Sequence, residues 1–253
     1  MPPTCHANRC AVIDVTEDKP VAMGDLALDK LTEVVKGRNA DGIILDHTEP
    51  QDARVRYLLE QDMPFVTFGR TELFTEHAYF DIDNEFAAHQ GTASLIAVGK
   101  RRIALIDGDR RYMFVRQRRR GYEAALREAG LKVDEVLIRH INVDADLART
   151  VAAELARAGA DGFVCVNELA FLGARAGARA ALGENFGSVG FSMRAGTNLA
   201  DYIGTPAHSC YYSRFEAGWN LADLLLKRIA DEPVSRCQRI VRTQLRVTGK
   251  QQA

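Results

Sequence analysis

The hydrophobic positions of this chain follow two alternating patterns. Short continuous apolar runs, rich in β-branched and aromatic residues, occur at Cys10 to Val15, Gly42 to Leu45, Phe65 to Phe68, Arg102 to Ile106, Val136 to Arg139, Gly162 to Val166 and Ser188 to Phe191. Between them lie longer stretches at about 24–38, 52–61, 84–98, 114–129, 145–158 and 168–181, where a helical pattern predominates. In the first stretch Leu28, Leu31, Val34 and Val35 fall on one helical face. Asp52, with Pro50 just upstream, is an N-cap candidate for the second. Buried strands alternating with helices predict an α/β fold in which crossover helices join parallel strands.

Three segments depart from the alternation. Tyr79 to Ile82 is an extra extended segment with a polar, turn-rich approach, suited to a crossing between two lobes, so two subdomains are expected rather than one long sheet. The stretch from Ser192 to Cys210, with Gly196, Gly204 and Pro206 and little periodicity, reads as a long functional loop. GARAGARA at 173–180 is a short direct repeat whose Gly173 and Gly177 would let a helix face approach a sheet; it is far too short for a solenoid period. A last helix over Phe215 to Ile229 places Leu221, Leu224, Leu225 and Ile229 on one face, and Cys237 to Val247 reads as one or two closing strands.

Composition narrows the function. With 33 Lys plus Arg against 34 Asp plus Glu among 253 residues, the chain lacks the basic excess that drives free-standing nucleic-acid binding. Its 47% hydrophobic and 26% charged residues suit a globular chain with one large core or two small ones. No apolar run approaches the roughly 20 residues of a membrane helix. The start, MPPTCHANRC, has no secretory apolar stretch, so a cytoplasmic location is expected. Five cysteines at irregular spacing fit reduced thiols, and Cys5-His6 with Cys10 has no second ligand pair for zinc. The six histidines show no pair at metal spacing, so no metal is expected.

Catalytic signatures are missing in turn. No phosphate loop and no Gly-x-Gly-x-x-Gly follows a strand. Gly190-Phe191-Ser192 begins like a nucleophile elbow, but Arg194 stands in place of its second glycine. An enzyme on this scaffold would rest on fold analogy alone, so neither catalysis nor a cofactor is expected. The densest polar cluster is GDRRYMFVRQRRRG at 108–121, directly after the strand RIALI, with six arginines between 110 and 120. Ligands of open α/β sheets bind at the carboxyl edge, where one of these arginines turned inward would meet hydroxyls or an anion. Helical spacing cannot bring Arg116, Arg118, Arg119 and Arg120 to one side, so most belong to a solvated face. Asp46-His47, Gly69-Arg70, Asn167-Glu168 and Ser192 end other strands, and together they predict a cleft for a small polar molecule.

The stretches ADGIIL at 40–45, MPFVTFGR at 63–70, FDIDNEFAA at 80–88 and VGKRRIALIDG at 98–108 continue into RRRGYEAALREAGL. GFVCVNELAFLGARA at 162–176, VGF at 189–191 and TPAHS at 205–209 ahead of EAGWNLADLLLKRI follow. In this order and spacing the chain resembles the effector-sensing region of the LacI/GalR family of bacterial transcription regulators. The resemblance implies a type I periplasmic-binding-protein fold, two doubly wound parallel-sheet lobes joined by three crossovers. Residues 1–81 plus 214–238 would form the first lobe and 82–213 plus 239–253 the second. It implies that Arg118 and Asn167 contact an effector and that Asp46, Asp81, Phe114, Ile141 and Arg214 line its pocket. Ser192, with Met193 behind it, stands where the family usually has aspartate; a hydroxyl lacks that charge-assisted acceptor, which leaves the effector class open. Pro206-Ala207-His208-Ser209 replaces proline-leucine-threonine-threonine, and Lys100 replaces a histidine.

The function so implied is the sensing domain of a transcriptional regulator. A sugar or related molecule would bind between the lobes and control DNA binding by a homodimer of the intact protein. DNA would be read only through a helix-turn-helix, about sixty residues that the family carries first and that this sequence does not display. The family's first strand and helix are also missing. That strand would lie between those at 10–15 and 42–45, leaving backbone groups there unpaired. A solute-binding protein for sugar uptake, on the same fold, is the alternative.

Overall fold

A computed structural model of the protein describes residues 10–12, 23–204 and 206–249, with side chains from Leu28 onward. The chain runs β1 (Cys10–Val12), α1 (Met23–Lys36), β2 (Gly42–Leu45), α2 (Ala53–Glu60), β3 (Phe65–Phe68) and β4 (Tyr79–Ile82). It continues α3 (Asn84–Ala97), β5 (Ile103–Asp107), α4 (Met113–Glu128), β6 (Ile138–His140), α5 (Ala145–Arg157), β7 (Gly162–Cys165), α6 (Glu168–Leu182) and β8 (Gly190–Ala195). Then come β9 (Ala207–Tyr211), α7 (Arg214–Ile229), β10 (Gln238–Val241) and β11 (Gln244–Thr248). These elements form two units, Met1–Asp81 with Phe215–Ile240 and Ile82–Arg214 with Val241–Ala253, so the chain passes between them three times. Among the described residues no helix is long and apolar enough to cross a membrane.

In the first unit the sheet order is β1-β2-β3-β4-β10. β1 pairs in parallel directly with β2, Cys10 opposite Gly42 and Val12 opposite Ile44, which corrects the expectation of an unfilled strand position between them. An open β2 edge would leave amides and carbonyls unpaired, and β1 supplies their partners. Leu31 of α1 and Val55 and Leu58 of α2 bury against Ile43, Leu45 and Phe65. Asp52 caps α2 as expected, accepting from Arg54 N at 3.0 Å. Burial pushes its carboxyl pKa up, but the hydrogen bonds and charge of the Arg54 guanidinium outweigh that and hold it below the ordinary value.

His77, 5% exposed, stacks on Phe65 at 5.9 Å and has Nε2 3.2 Å from Thr67 Oγ1. Burial lowers its pKa from 6.5 to about 4, against the opposing charge of Asp52. Between those values the unfolded chain binds a proton that the folded chain refuses. Stability should therefore rise with pH across this window, by up to about 1.4 kcal/mol per unit, and be lost as the pH falls toward 4. Urea unfolding of the parent and His77→Gln at pH 4.5, 5.5 and 6.5 measures it; equal slopes for the two proteins would refute the assignment.

In the second unit the order is β11-β9-β8-β7-β5-β6. Neighbours among β5 to β9 are parallel, and β11 is antiparallel to β9. The two-residue alternation of β5 divides the core. Ile103 and Leu105 face Leu95 of α3 and Tyr122 and Leu126 of α4, whereas Ala104 and Ile106 join the cluster under α5 and α6. Tyr122 Oη donates to Ile103 O at 2.7 Å, and burial pushes the phenol pKa up.

Two expectations fail here. Gly173 and Gly177 do not face the sheet; a Cβ on either would lie 2.0 Å from a backbone oxygen of α5, Ala145 O and Arg149 O. The stretch from 192 to 210 is not one loop, because β8 runs on to Ala195 and β9 lies parallel to it, Ser192 opposite His208. The small polar residues of β9 carry little apolar signal, yet β8 and β11 enclose the strand. His208 Nδ1 lies 2.8 Å from Ser94 Oγ, and Cys210 Sγ donates to Ala87 O at 3.2 Å. In addition, Glu135–Leu137 is a 3-10 turn, and the strand expected from 136 begins at Ile138.

Candidate ligand-binding site

At the carboxyl edge of the second unit's sheet the connections diverge. From β5 the chain winds outward to β6, then returns to β7 on the other side, so the strand order reverses between β5 and β7, where open α/β sheets bind ligands. Asp107 ends β5 and alternates with Ile103 and Leu105, which aims its carboxylate toward α4. Arg118 lies on the buried stripe of α4 with Val115, Tyr122 and Ala125. Its Nε sits 3.2 and 3.1 Å from the two Asp107 oxygens, and its Nη2 donates 3.1 Å to Cys165 O at the end of β7. One guanidinium thus bridges the reversal point. Arg118 is 1% exposed and Asp107 0%.

The remaining arginines of the cluster behave as a polar face. Arg119 pairs with Glu123 and Glu135, and Arg120 with Glu85 at 2.9 Å. Arg111 Nε lies 3.3 Å from Asp109. Only Arg118 of the six is buried.

Other residues gather along the same edge. Asn167 follows β7 as the N-cap of α6, its Oδ1 accepting from Ala170 N at 3.0 Å. Glu168 Oε1 accepts from Gly196 N and Thr197 N, both at 2.8 Å, and from Thr197 Oγ1, which ties the segment after β8 to the start of α6. Ile141, after β6, donates its N–H to Asp107 O at 2.9 Å and packs on the apolar cluster under α5 and α6. Phe114 stacks on Tyr112 at 5.7 Å and 10°. The Arg194 guanidinium lies 5.7 Å from both the Phe114 and Tyr212 rings. Its Nη1 donates to Asn84 Oδ1 at 2.9 Å, while Asn84 Nδ2 reaches Gln117 Oε1 at 3.1 Å. Arg214 opens α7 and its stem passes over Gly196, where a Cβ would come 2.4 Å from Arg214 Cγ.

Of the residues singled out in the sequence, Arg118, Asn167, Phe114, Ile141 and Arg214 therefore meet at this edge. Ser192 does not. It sits mid-strand, 1% exposed, with its hydroxyl against Gly91 of α3 and near Cys210. The strand continues four residues past the expected end at Phe191, and Arg194 takes the outermost place on that face. Asp46 and Asp81 belong to the first unit. Asp46 follows β2, 3.3 Å from His47 Nδ1, and Asp81 in β4 accepts from Arg70 Nε at 2.7 Å. Asp107, Asn84, Gln117, Arg194 and Tyr212 were not singled out. Asp107 alone carried a local signal, as a carboxylate closing an apolar strand.

Among the described residues no group of three or more His, Cys, Asp or Glu is placed to hold a metal ion. The side chains of Cys5, His6 and Cys10 lie outside them. Cys165 and Cys210 are free thiols whose pKa burial pushes up to about 12 and about 11, which keeps them protonated and unreactive.

Comparison with known proteins bears on the family and the fold. The family described as periplasmic binding proteins and sugar binding domain of LacI family matches residues 20–197. The HTH-type transcriptional regulator RafR of Escherichia coli is 37% identical over 99 residues, 39% of this chain and 30% of RafR. The HTH-type transcriptional regulator CelR of Thermobifida fusca is 28% identical over 226 residues, 87% of this chain and 66% of CelR, so the chain spans less than the full length of these relatives. A solved complex of the transcriptional regulator CelR with cellobiose superimposes with a TM-score of 0.78 at 26% identity, covering 87% of this chain and 69% of that one. The transcription regulator CcpA of Lactococcus lactis shares the fold, with a TM-score of 0.75 at 22% identity over 89% of this chain and 82% of its own. By its fold and the family match over residues 20–197, the chain belongs to the family described as periplasmic binding proteins and sugar binding domain of LacI family.

Proposed function

We propose that this domain senses a small sugar-like effector and that effector binding controls DNA binding by a longer, dimeric regulator through a helix-turn-helix. The observation that carries the reading is the buried Arg118 guanidinium across the β5–β7 reversal point, with Asn167 two residues beyond the Cys165 that it holds and Phe114 one helical turn before it on α4. The pair with Asp107 holds the guanidinium rigid, so that it meets a ligand without reorganising. Asn167 uses Oδ1 on its own helix and presents Nδ2 as a donor. An aromatic face beside such donors suits a sugar ring, whose C–H face is apolar and whose rim is polar. Among the described residues of this edge no nucleophile and base are in hydrogen-bond contact, which favours binding and transmission over catalysis. Relatives that are regulators, CelR among them, support this over a role in uptake.

Thermal melts against mono- and disaccharides, sugar acids, sugar phosphates and polyols test the proposal. A ligand at 100 times its Kd adds about 2.7 kcal/mol and raises the midpoint by several degrees. Asn167→Asp keeps the cap acceptor and removes the donor. It should melt like the parent without ligand and bind the effector about tenfold more weakly. Unchanged affinity would remove Asn167 from the site, and no shift from any compound would refute the sensing role.

A further inference from the structure

We infer that the effector carries a negative charge, as a sugar carboxylate or sugar phosphate, and that Arg194 and Arg214 recognise it. This rests on the proposed sensing role of the same edge. A neutral sugar offers hydroxyls that both donate and accept, so its site needs acceptors as well as donors. Here most of the acceptor atoms are already engaged, with Glu168 Oε2 left over. Both Asp107 oxygens lie within 3.2 Å of Arg118 Nε, and Oδ1 also takes Gly108 N at 2.9 Å. Glu168 Oε1 takes three donors from Gly196 and Thr197, and Asn167 Oδ1 takes Ala170 N.

The cations balance differently. Arg118 has its counter-charge in Asp107, and Arg111 in Asp109. Arg194 and Arg214 pair with no carboxylate among the described residues; the one hydrogen bond of the Arg194 guanidinium goes to the neutral Asn84. Arg194 is partly withdrawn from water near two rings, whose faces and the Asn84 amide offset only part of the cost of burying its charge, and an anionic ligand would complete the compensation. Gly196 leaves the space through which Arg214 passes, so the absence of a side chain at the end of β8 admits a second cation.

Helix capping points the same way. The starts of α2, α3, α5 and α6 are each capped by a side chain, of Asp52, Asp83, Asp144 and Asn167. The sixteen-residue α4 begins at this edge with Tyr112 in the N-cap position, no side-chain cap and no acidic residue in its first turn. Its positive end adds to the two arginines rather than being cancelled.

Calorimetric titration of the 253-residue protein with D-glucuronate, D-galacturonate and glucose 6-phosphate, each against glucose or galactose, decides the matter; sodium sulfate serves as the control. The expected result is that one acidic compound binds at least about tenfold more tightly than its neutral counterpart and loses affinity as salt is raised. The carboxylate and phosphate arms separate the two sources of charge. Arg194→Gln should abolish most of that preference while the ligand-free melt stays cooperative, and Arg214→Gln, an exposed change, should reduce it independently. A neutral sugar binding as tightly as its acid would overturn the charge inference and leave the sensing role standing. An equal response to sulfate alone would overturn it as a non-specific anion effect. Binding by no compound, acidic or neutral, would overturn both.

Discussion

Arg118→Ala should lower the unfolding free energy of the second unit by about 3 to 5 kcal/mol, a large part of the stability of any domain of this size. The loss comes less from the missing side chain than from what remains. Asp107, 0% exposed, would keep its charge with only Gly108 N as a partner among the donors described for it, and Cys165 O would lose the guanidinium donor. Urea unfolding of four proteins, the parent, Arg118→Ala, Asp107→Ala and the double variant, gives the coupling directly. The double variant should be more stable than either single one, because removing both charges leaves neither buried alone. Additive single effects would mean that the pair contributes nothing. Effector binding should vanish in Arg118→Ala even under conditions where it remains folded.

The second large effect is expected at the glycines of α6. Ala normally stabilises a helix over Gly by about 0.5 to 1 kcal/mol, so Gly173→Ala and Gly177→Ala would help an isolated helix. Here the sign reverses. Each new Cβ would stand 2.0 Å from a backbone oxygen of α5, a contact that no rotamer change relieves because the obstacle is backbone. The helices must move apart, opening the packing of Ala148, Ala152, Ala170 and Ala174, whose small side chains fit only at close approach. Overpacking costs about 1 to 3 kcal/mol per site, so the double variant should lose about 2 to 6 kcal/mol and melt at least about 4 °C lower. A thermal melt of Gly173→Ala/Gly177→Ala checks this, with Gly187→Ala as a control where a Cβ meets nothing within 4 Å. A double variant as stable as the control would show that α5 and α6 are not in this contact.

Much of the architecture could be read along the chain, and the exceptions share a cause. The helices expected at 84–98 and 145–158 are α3, Asn84–Ala97, and α5, Ala145–Arg157, since apolar spacing and caps are properties of consecutive residues. β9 was missed because Ala207, His208, Ser209 and Cys210 are buried through their neighbours in space, not through their own hydrophobicity. Polarity rises at Ser192 and reads as a strand end; β8 nevertheless runs on to Ala195, enclosed by β7 and β9. Within the site, Arg118 was legible from motif position and from the impossibility of burying every arginine of α4. Arg194 and Asn84, joined across 110 positions, were not.

Sequence alone determined the α/β class, the order of most elements, the family and the one arginine of six that turns inward. These depend on local periodicity, on capping chemistry and on motifs whose spacing survives in one dimension. Tertiary structure alone decided what Arg118 is bonded to, Asp107 eleven positions away and Cys165 forty-seven away, and that Arg194 rather than Ser192 reaches the carboxyl edge of the sheet. It also decided that Gly173 and Gly177 serve a helix–helix contact. The physical reason is the same in each case: a side chain's composition shows that it needs a partner, but strand order and helix docking determine which atoms are near enough to satisfy it.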